Sequence, residues 1–267
     1  MAASARGSVP KDVSTGDANA VGVSLSVTVW NEGIHEQRTE ATGEIYPDGI
    51  GGTIAGFLGT AGHDTRVATL ADPEHGLTTA VLDRTDVLVW WGHAAHDEVD
   101  DAIAARVAEA VREGMGYVPI HSSHHAKPFM ELMGTDCDEK FRVADERQRI
   151  WVADPGHPIA DGLEEATVIA ESEMYGEPHN VPSPDDVVLI SWFEGGEVFR
   201  SGCCWRRQRG RIFYFSPGHE EYPIFHHEGV QQILTNAVEW AAPNPGARNV
   251  TYRHAPDAPE PLDRERS

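Results

Sequence analysis

Cysteine is scarce in this chain of 267 residues: Cys137, Cys203 and Cys204 are the only three. An odd number, with two adjacent, makes a poor disulfide framework, so a reducing intracellular setting is expected. Lysine is equally scarce, with Lys11, Lys127 and Lys140 among 21 basic residues. No apolar run approaches the roughly 18 residues that a membrane span requires. The opening MAASARGSVPKDVSTGDANA also lacks the basic start and apolar centre of a secretory signal. The cytoplasm is the expected compartment, with no membrane partner.

What is abundant is acid. A net charge of −22 repels phosphate backbones and anionic lipid, so nucleic acid is not an expected partner either. The acids run along the whole chain rather than forming a tail. With so little lysine, this resembles the surface of proteins from salt-loving organisms, where a Debye length of about 3 Å at 1 M salt screens self-repulsion.

Residues 1–22 and 243–267 are small, polar and unpatterned, and are read as a disordered N-terminal tail and a mobile C-terminal one. One α/β domain is expected over 23–242. SLSVTVW (24–30) reads as a strand, and NEGIHEQ after it as a loop. A helix over 49–62, a strand over 64–72, a short helix near TTAVLDR and the apolar strand DVLVWWGH (86–93) follow. A further helix carries Val99, Ile103, Val107 and Val111 four apart and exits on a glycine, leading to the strand that ends in HSSHH (121–125). Such alternation predicts a doubly wound sheet, in which ligands bind at the carboxyl ends of the strands. NEGIHE, WWGHAAH and HSSHH should therefore meet at one edge.

From about residue 135 the alternation lapses into strand-like segments, with Gly195 and Gly196 marking a hairpin. A helix beginning near HEGVQQ closes the domain. Glu173, Tyr175 and His219 are expected at loop positions in this half. His75 and His157 read as turn residues, and His226 and His227 as the start of the last helix.

In order along the chain, VTVWNEGIHE, IYPDGI, PEHGLT, DVLVWWGHAAHDEV, GMGYVPIHSSHHAK, EMYGEP, SWFEGGEVFRSGCCW and IFYFSPGHEEYP closely resemble the ThuA-like trehalose-utilisation family over about residues 25–242. That resemblance implies a flavodoxin-like fold of the class I glutamine amidotransferase-like kind, with an inserted β-rich segment. It further implies a role in catabolism of trehalose and related disaccharides, on sugars already oxidised to 3-keto forms by a partner dehydrogenase. Laid on the amidotransferase pattern, His121 stands where the catalytic cysteine would be, and PGHE is the counterpart of a His-Pro-Glu element that brings His219 to face it. No cysteine lies near that position, so thiol chemistry is not expected.

Three readings of the histidine cluster stand side by side. Ser122 or Ser123 could serve a hydrolase, although the flanking glycines of G-x-S-x-G are missing. His35, His93, His121, His124 and His219 could supply three ligands to a divalent metal and leave a position open. Or the histidines simply cap strand ends through backbone carbonyls. The metal reading takes His35, His121 and His219 as ligands to Zn²⁺, with Mn²⁺ as the alternative and His93 and His124 as substitutes. Glu173, with His93, His124 and Tyr175, is assigned the catalytic proton work, while Trp91 and Ser122 contact the sugar, Trp91 by stacking. The expected activity is isomerisation, elimination or hydrolysis. Expected partners are a small-molecule sugar, a sugar dehydrogenase and further copies of the chain. A non-catalytic sugar-binding or regulatory protein on the same scaffold is the rival.

Overall fold

The computed structural model describes residues 23–244 and residue 260; both expected tails fall almost wholly outside the described residues. In chain order the strands are β1 (Ser26–Asn31), β2 (Asp64–Thr69), β3 (Val87–Trp91), β4 (Gly116–Ile120), β5 (Lys140–Val152), β6 (Ala166–Gly176), β7 (Asp186–Phe193), β8 (Val198–Arg207) and β9 (Gly210–Phe215). These nine strands of the described residues join one sheet in the order β2-β1-β3-β4-β9-β8-β7-β5-β6. From β2 to β9 the neighbours run parallel, and from β9 to β6 antiparallel. The β-rich insertion is thus no separate layer but an extension of the same sheet.

The helices are α1 (His35–Arg38), α2 (Glu40–Ile45), α3 (Gly49–Thr60), α4 (Thr79–Leu82), α5 (Asp101–Glu113), α6 (Lys127–Met133) and α7 (Glu228–Ala241). Alternation along the parallel strands divides the core in two. Val87, Val89 and Trp91 pack with Ile50 and Ile54 of α3 and Ile233 and Leu234 of α7. Leu88 and Trp90 pack on the other face with Ile103, Val107 and Val111 of α5 and Phe129 of α6. A strand covered on both faces must be apolar at every position, which explains the unbroken run in β3. The helix read from the four-residue spacing is present as α5, capped by the Asp100 side chain, which accepts from the Ala102 N–H, and ended by Gly114 at φ 126°.

Where the sequence suggested loops after β1 and β4, the chain turns helical. NEGIHEQ runs into α1, and HSSHH forms a tight 3₁₀ turn that leads to α6. Glu173 and Tyr175 are not on a loop: they lie on β6, at the end that pairs with Lys140 to Arg142 of β5. Two register shifts interrupt that pairing, between Arg142 and Glu146 and between Glu146 and Gln148, with Asp145 at φ 50°. Irregularities of this kind bend and twist a strand. Although β6 is the outermost strand, its end reaches back over the carboxyl edge of β4, where Tyr175 Oη lies 3.0 Å from Ser122 Oγ. Among the described residues no helix is long and apolar enough to cross a membrane.

Candidate active site

The strand β4 ends in a sharp elbow at His121, whose φ of 57° lies in the left-handed region that few side chains adopt. Several groups hold it there. The Tyr214 hydroxyl donates to the His121 carbonyl at 3.0 Å. Ser123 Oγ donates to the Trp90 carbonyl at 3.1 Å and accepts the Gly92 N–H at 2.9 Å. The loop after β9 packs against the elbow so closely that a Cβ on Gly218 would lie 3.0 Å from that of His121, so only glycine suits the position.

Around the elbow the three expected loops do converge. The ring of His93 lies 5.4 Å from that of His121 and 5.5 Å from that of His219, and stacks on His35 at 4.9 Å. Glu220, a residue that spacing did not single out, spans two of them. One carboxylate oxygen is 3.1 Å from His35 Nδ1 and the other 2.8 Å from His93 Nδ1. His35, His93 and Glu220 offer donor atoms that all lie within 4.8 Å of one another. Glu32 is a second residue missed. Its buried carboxylate accepts the N–H groups of His93, Ala94 and Ala95 at 2.9 to 3.0 Å, fixing the loop that follows β3.

The donor atoms that come together here, those of His35, His93 and Glu220, are not the expected trio of His35, His121 and His219. His219 Nδ1 accepts the Glu221 N–H at 3.2 Å, so the neutral ring carries its proton on Nε2 and neither nitrogen keeps a free lone pair. His121 Nδ1 donates to the Ser216 carbonyl at 3.1 Å. That leaves Nε2 as the acceptor, 3.3 Å from Glu173 Oε2. Burial, reinforced by the nearby His93 and His219, holds His121 neutral with its pKa well below the ordinary value.

Burial dominates the charge states. It lifts Glu173 to about 7; the imidazole of His93 opposes the rise, and Glu220 and Glu139 add to it. Burial works in the same sense on Glu220, but there the close contact with His93 and its charge prevail and depress the carboxyl to about 2. In His93 burial disfavours the cation, yet Glu220, Glu173 and Glu32 together outweigh it and raise the pKa. Two carboxyls that both act on His93 are thus split, one fixed as an anion and one able to exchange a proton near neutrality.

Other expected roles change. Trp91 is 0% exposed and donates its indole N–H to the Gly218 carbonyl at 2.9 Å. It packs edge-on against His35 and His93 as a floor, so it has no free face for stacking on a sugar. Ser122 meets the Tyr175 phenol rather than an imidazole, and Ser123 is tied to backbone. Neither serine is arranged as an activated nucleophile. Tyr175 stacks on His121 with centroids 5.2 Å apart. His124, expected as a catalytic residue, faces Glu139 at 2.8 Å, and with Ser122, Glu173 and Tyr175 it lines a cleft of about 170 Å³. The thiols lie elsewhere: Cys203 and Cys204 are on β8 and Cys137 precedes β5, and burial raises Cys137 to about 11. His75 and His157 accept backbone N–H groups of Asp100 and Ile159, and His227 caps α7 through Gly229, as turn and cap residues do.

A divalent metal suits the residues at the elbow. His35 Nε2, His93 Nδ1, His121 Nε2, Glu173 Oε2 and Glu220 Oε2 are all buried without an aligned hydrogen-bond partner. So many buried polar atoms converging without aligned hydrogen bonds are costly unless a cation or ligand satisfies them. Imidazole nitrogens with a carboxylate are the donor set of zinc-type sites that keep a position open.

Comparison with known proteins agrees with this architecture. Residues 26–241 match the ThuA family, described as trehalose utilisation. The fold is similar to that of a ThuA-like protein from Parabacteroides merdae ATCC 43184, with TM-score 0.60 and 14% identity over 82% of this chain and 90% of that one. It is also similar to a cytoplasmic protein of Salmonella typhimurium, with TM-score 0.55 and 15% identity over 82% and 100%. PurLQS from Thermotoga maritima matches with TM-score 0.51 and 14% identity over 81% and 99%. At these identities the likeness establishes the fold, an amidotransferase-like doubly wound sheet. No curated protein matches the sequence.

Proposed function

This chain belongs to the ThuA trehalose-utilisation family, and on that premise we propose that it is a metal-assisted enzyme of carbohydrate utilisation acting on a keto-sugar derived from trehalose or a related disaccharide. The observation that carries this reading is the pairing of a ligand set, His35, His93 and Glu220, with a proton-exchanging carboxyl, Glu173, at one elbow. A divalent ion held there, Zn²⁺ or Mn²⁺, would polarise a carbonyl oxygen and make the neighbouring C–H acidic. Glu173, poised near neutrality, takes that proton and returns it, with the neutral His121 Nε2 beside it as a hydrogen-bond acceptor. The bond to Ser216 keeps the His121 tautomer in the form that accepts. Tyr175 and Ser122 present hydroxyls to the sugar from the wall of the cleft. Proton removal beside a ketone is the first step shared by isomerisation and elimination, the reactions this geometry suits best. A dehydrogenase must supply the ketone, and the cytoplasm is the compartment in which both would work.

The test is metal analysis of the purified protein together with turnover of 3-keto-trehalose. Stoichiometric metal, loss of turnover with chelator and return with Zn²⁺ or Mn²⁺ are expected. Glu220→Gln should weaken metal binding by at least about a hundredfold, since even changes one layer outside the ligands cost about 10- to 100-fold. Metal-free protein whose turnover ignores chelator would sink the metal reading.

A further inference from the structure

A second group of donors lies beyond the set assigned above. His124 and His125 close the turn after the elbow, and Glu139 stands immediately before β5. Their donor atoms, too, lie within 4.8 Å of one another. His124 Nε2 and Glu139 Oε2 are 2.8 Å apart on side chains each 2% exposed, yet neither atom has an aligned hydrogen-bond partner. Two buried lone-pair atoms placed side by side, each pointing past the other, would be expensive as an isolated pair. They are arranged as ligands of a common ion are.

The tautomer of His124 agrees. Its Nδ1 donates to the His121 carbonyl at 3.1 Å, so the neutral ring offers its lone pair at Nε2, toward Glu139. A backbone carbonyl on the distal nitrogen is the usual way a ligating histidine is oriented. His125 is 42% exposed at its side chain and supplies both a third donor and access from solvent. His124, His125 and Glu139 line the same cleft as His93 and Glu173, so a fourth coordination position would open toward whatever occupies it.

We propose that His124, His125 and Glu139 form a second divalent-cation site, of the kind that suits zinc. It faces the cleft in which the proposed reaction takes place, where it would bind a sugar oxygen away from the reacting carbon. The site stands on its own residues and rests on the proposed function only for that role.

Titration of the metal-free full-length protein tests it, with Zn²⁺ followed by calorimetry and Co²⁺ by visible absorption. Wild type should take up two equivalents. His125→Ala removes an exposed side chain and leaves the core intact; it should lose one equivalent or weaken it by at least about tenfold, as should Glu139→Gln. Glu220→Gln should lose the other. If His125→Ala folds like wild type and binds with unchanged stoichiometry and affinity, or if wild type binds no metal, the second site is overturned. A single equivalent lost in Glu220→Gln but kept in His125→Ala overturns it as well. A single equivalent with the reverse pattern upholds this site and removes the metal from the proposed mechanism.

Discussion

The parallel half of the sheet and its antiparallel wing bury themselves by different means. Every residue of β3 and β4 is buried, because helices cover both faces. In the wing, β5 begins with six exposed residues and only then alternates, and Phe141, Val143, Trp192 and Val198 remain open to solvent. The site lies on the seam between them. His35, His93, His121 and Glu220 follow strands of the parallel half, whereas Glu173, Tyr175 and Glu139 come from the wing. The ligands proposed at the elbow, His35, His93 and Glu220, would have fixed positions on the doubly covered half, as a metal requires. The wing brings in the carboxyl that burial then tunes.

The sharpest way to break this division of labour is Glu173→Gln. If Glu173 supplies proton transfer and no ligand, turnover should fall by about 10²- to 10⁴-fold with metal content unchanged. Loss of the metal would show that the halves do not act separately. Next in size is the core. Leu88→Ala on β3 should cost about 2–5 kcal/mol in denaturant unfolding, and a cost below about 1 kcal/mol would contradict tight packing of the parallel half.

A pH series sharpens the comparison further. Glu173 is raised from the ordinary 4.5 to about 7 in the folded protein, so its contribution to stability is complete below 4.5 and is lost as pH rises through 7. Metal-free wild type should therefore lose stability relative to Glu173→Gln between about pH 4.5 and 8. A constant difference across that window would mean that the carboxyl is not held protonated. The smallest effect is expected in the wing itself. Val198→Thr, at a position 49% exposed, should change stability by no more than about 0.5 kcal/mol; a larger loss would reveal a partner on that face.

The order of strands and helices in the parallel half was legible because each rule involved is local. Apolar continuity marks a strand covered twice, four-residue spacing marks α5, and the crossover rule sends NEGIHE, WWGHAAH and HSSHH to one edge. Such local rules determined that His35, His93 and His121 would meet. They could not determine which atoms face each other. Glu220 was overlooked because a lone acid beside a histidine has no spacing signal in so acidic a chain, and His219 was read as a ligand because a tautomer depends on a backbone N–H two residues on. The convergence of Glu173 and Glu139 on the elbow was decided by the bend in β5, a tertiary property. So was the pKa of Glu173, since desolvation depends on what the fold packs around a group and not on its neighbours in sequence.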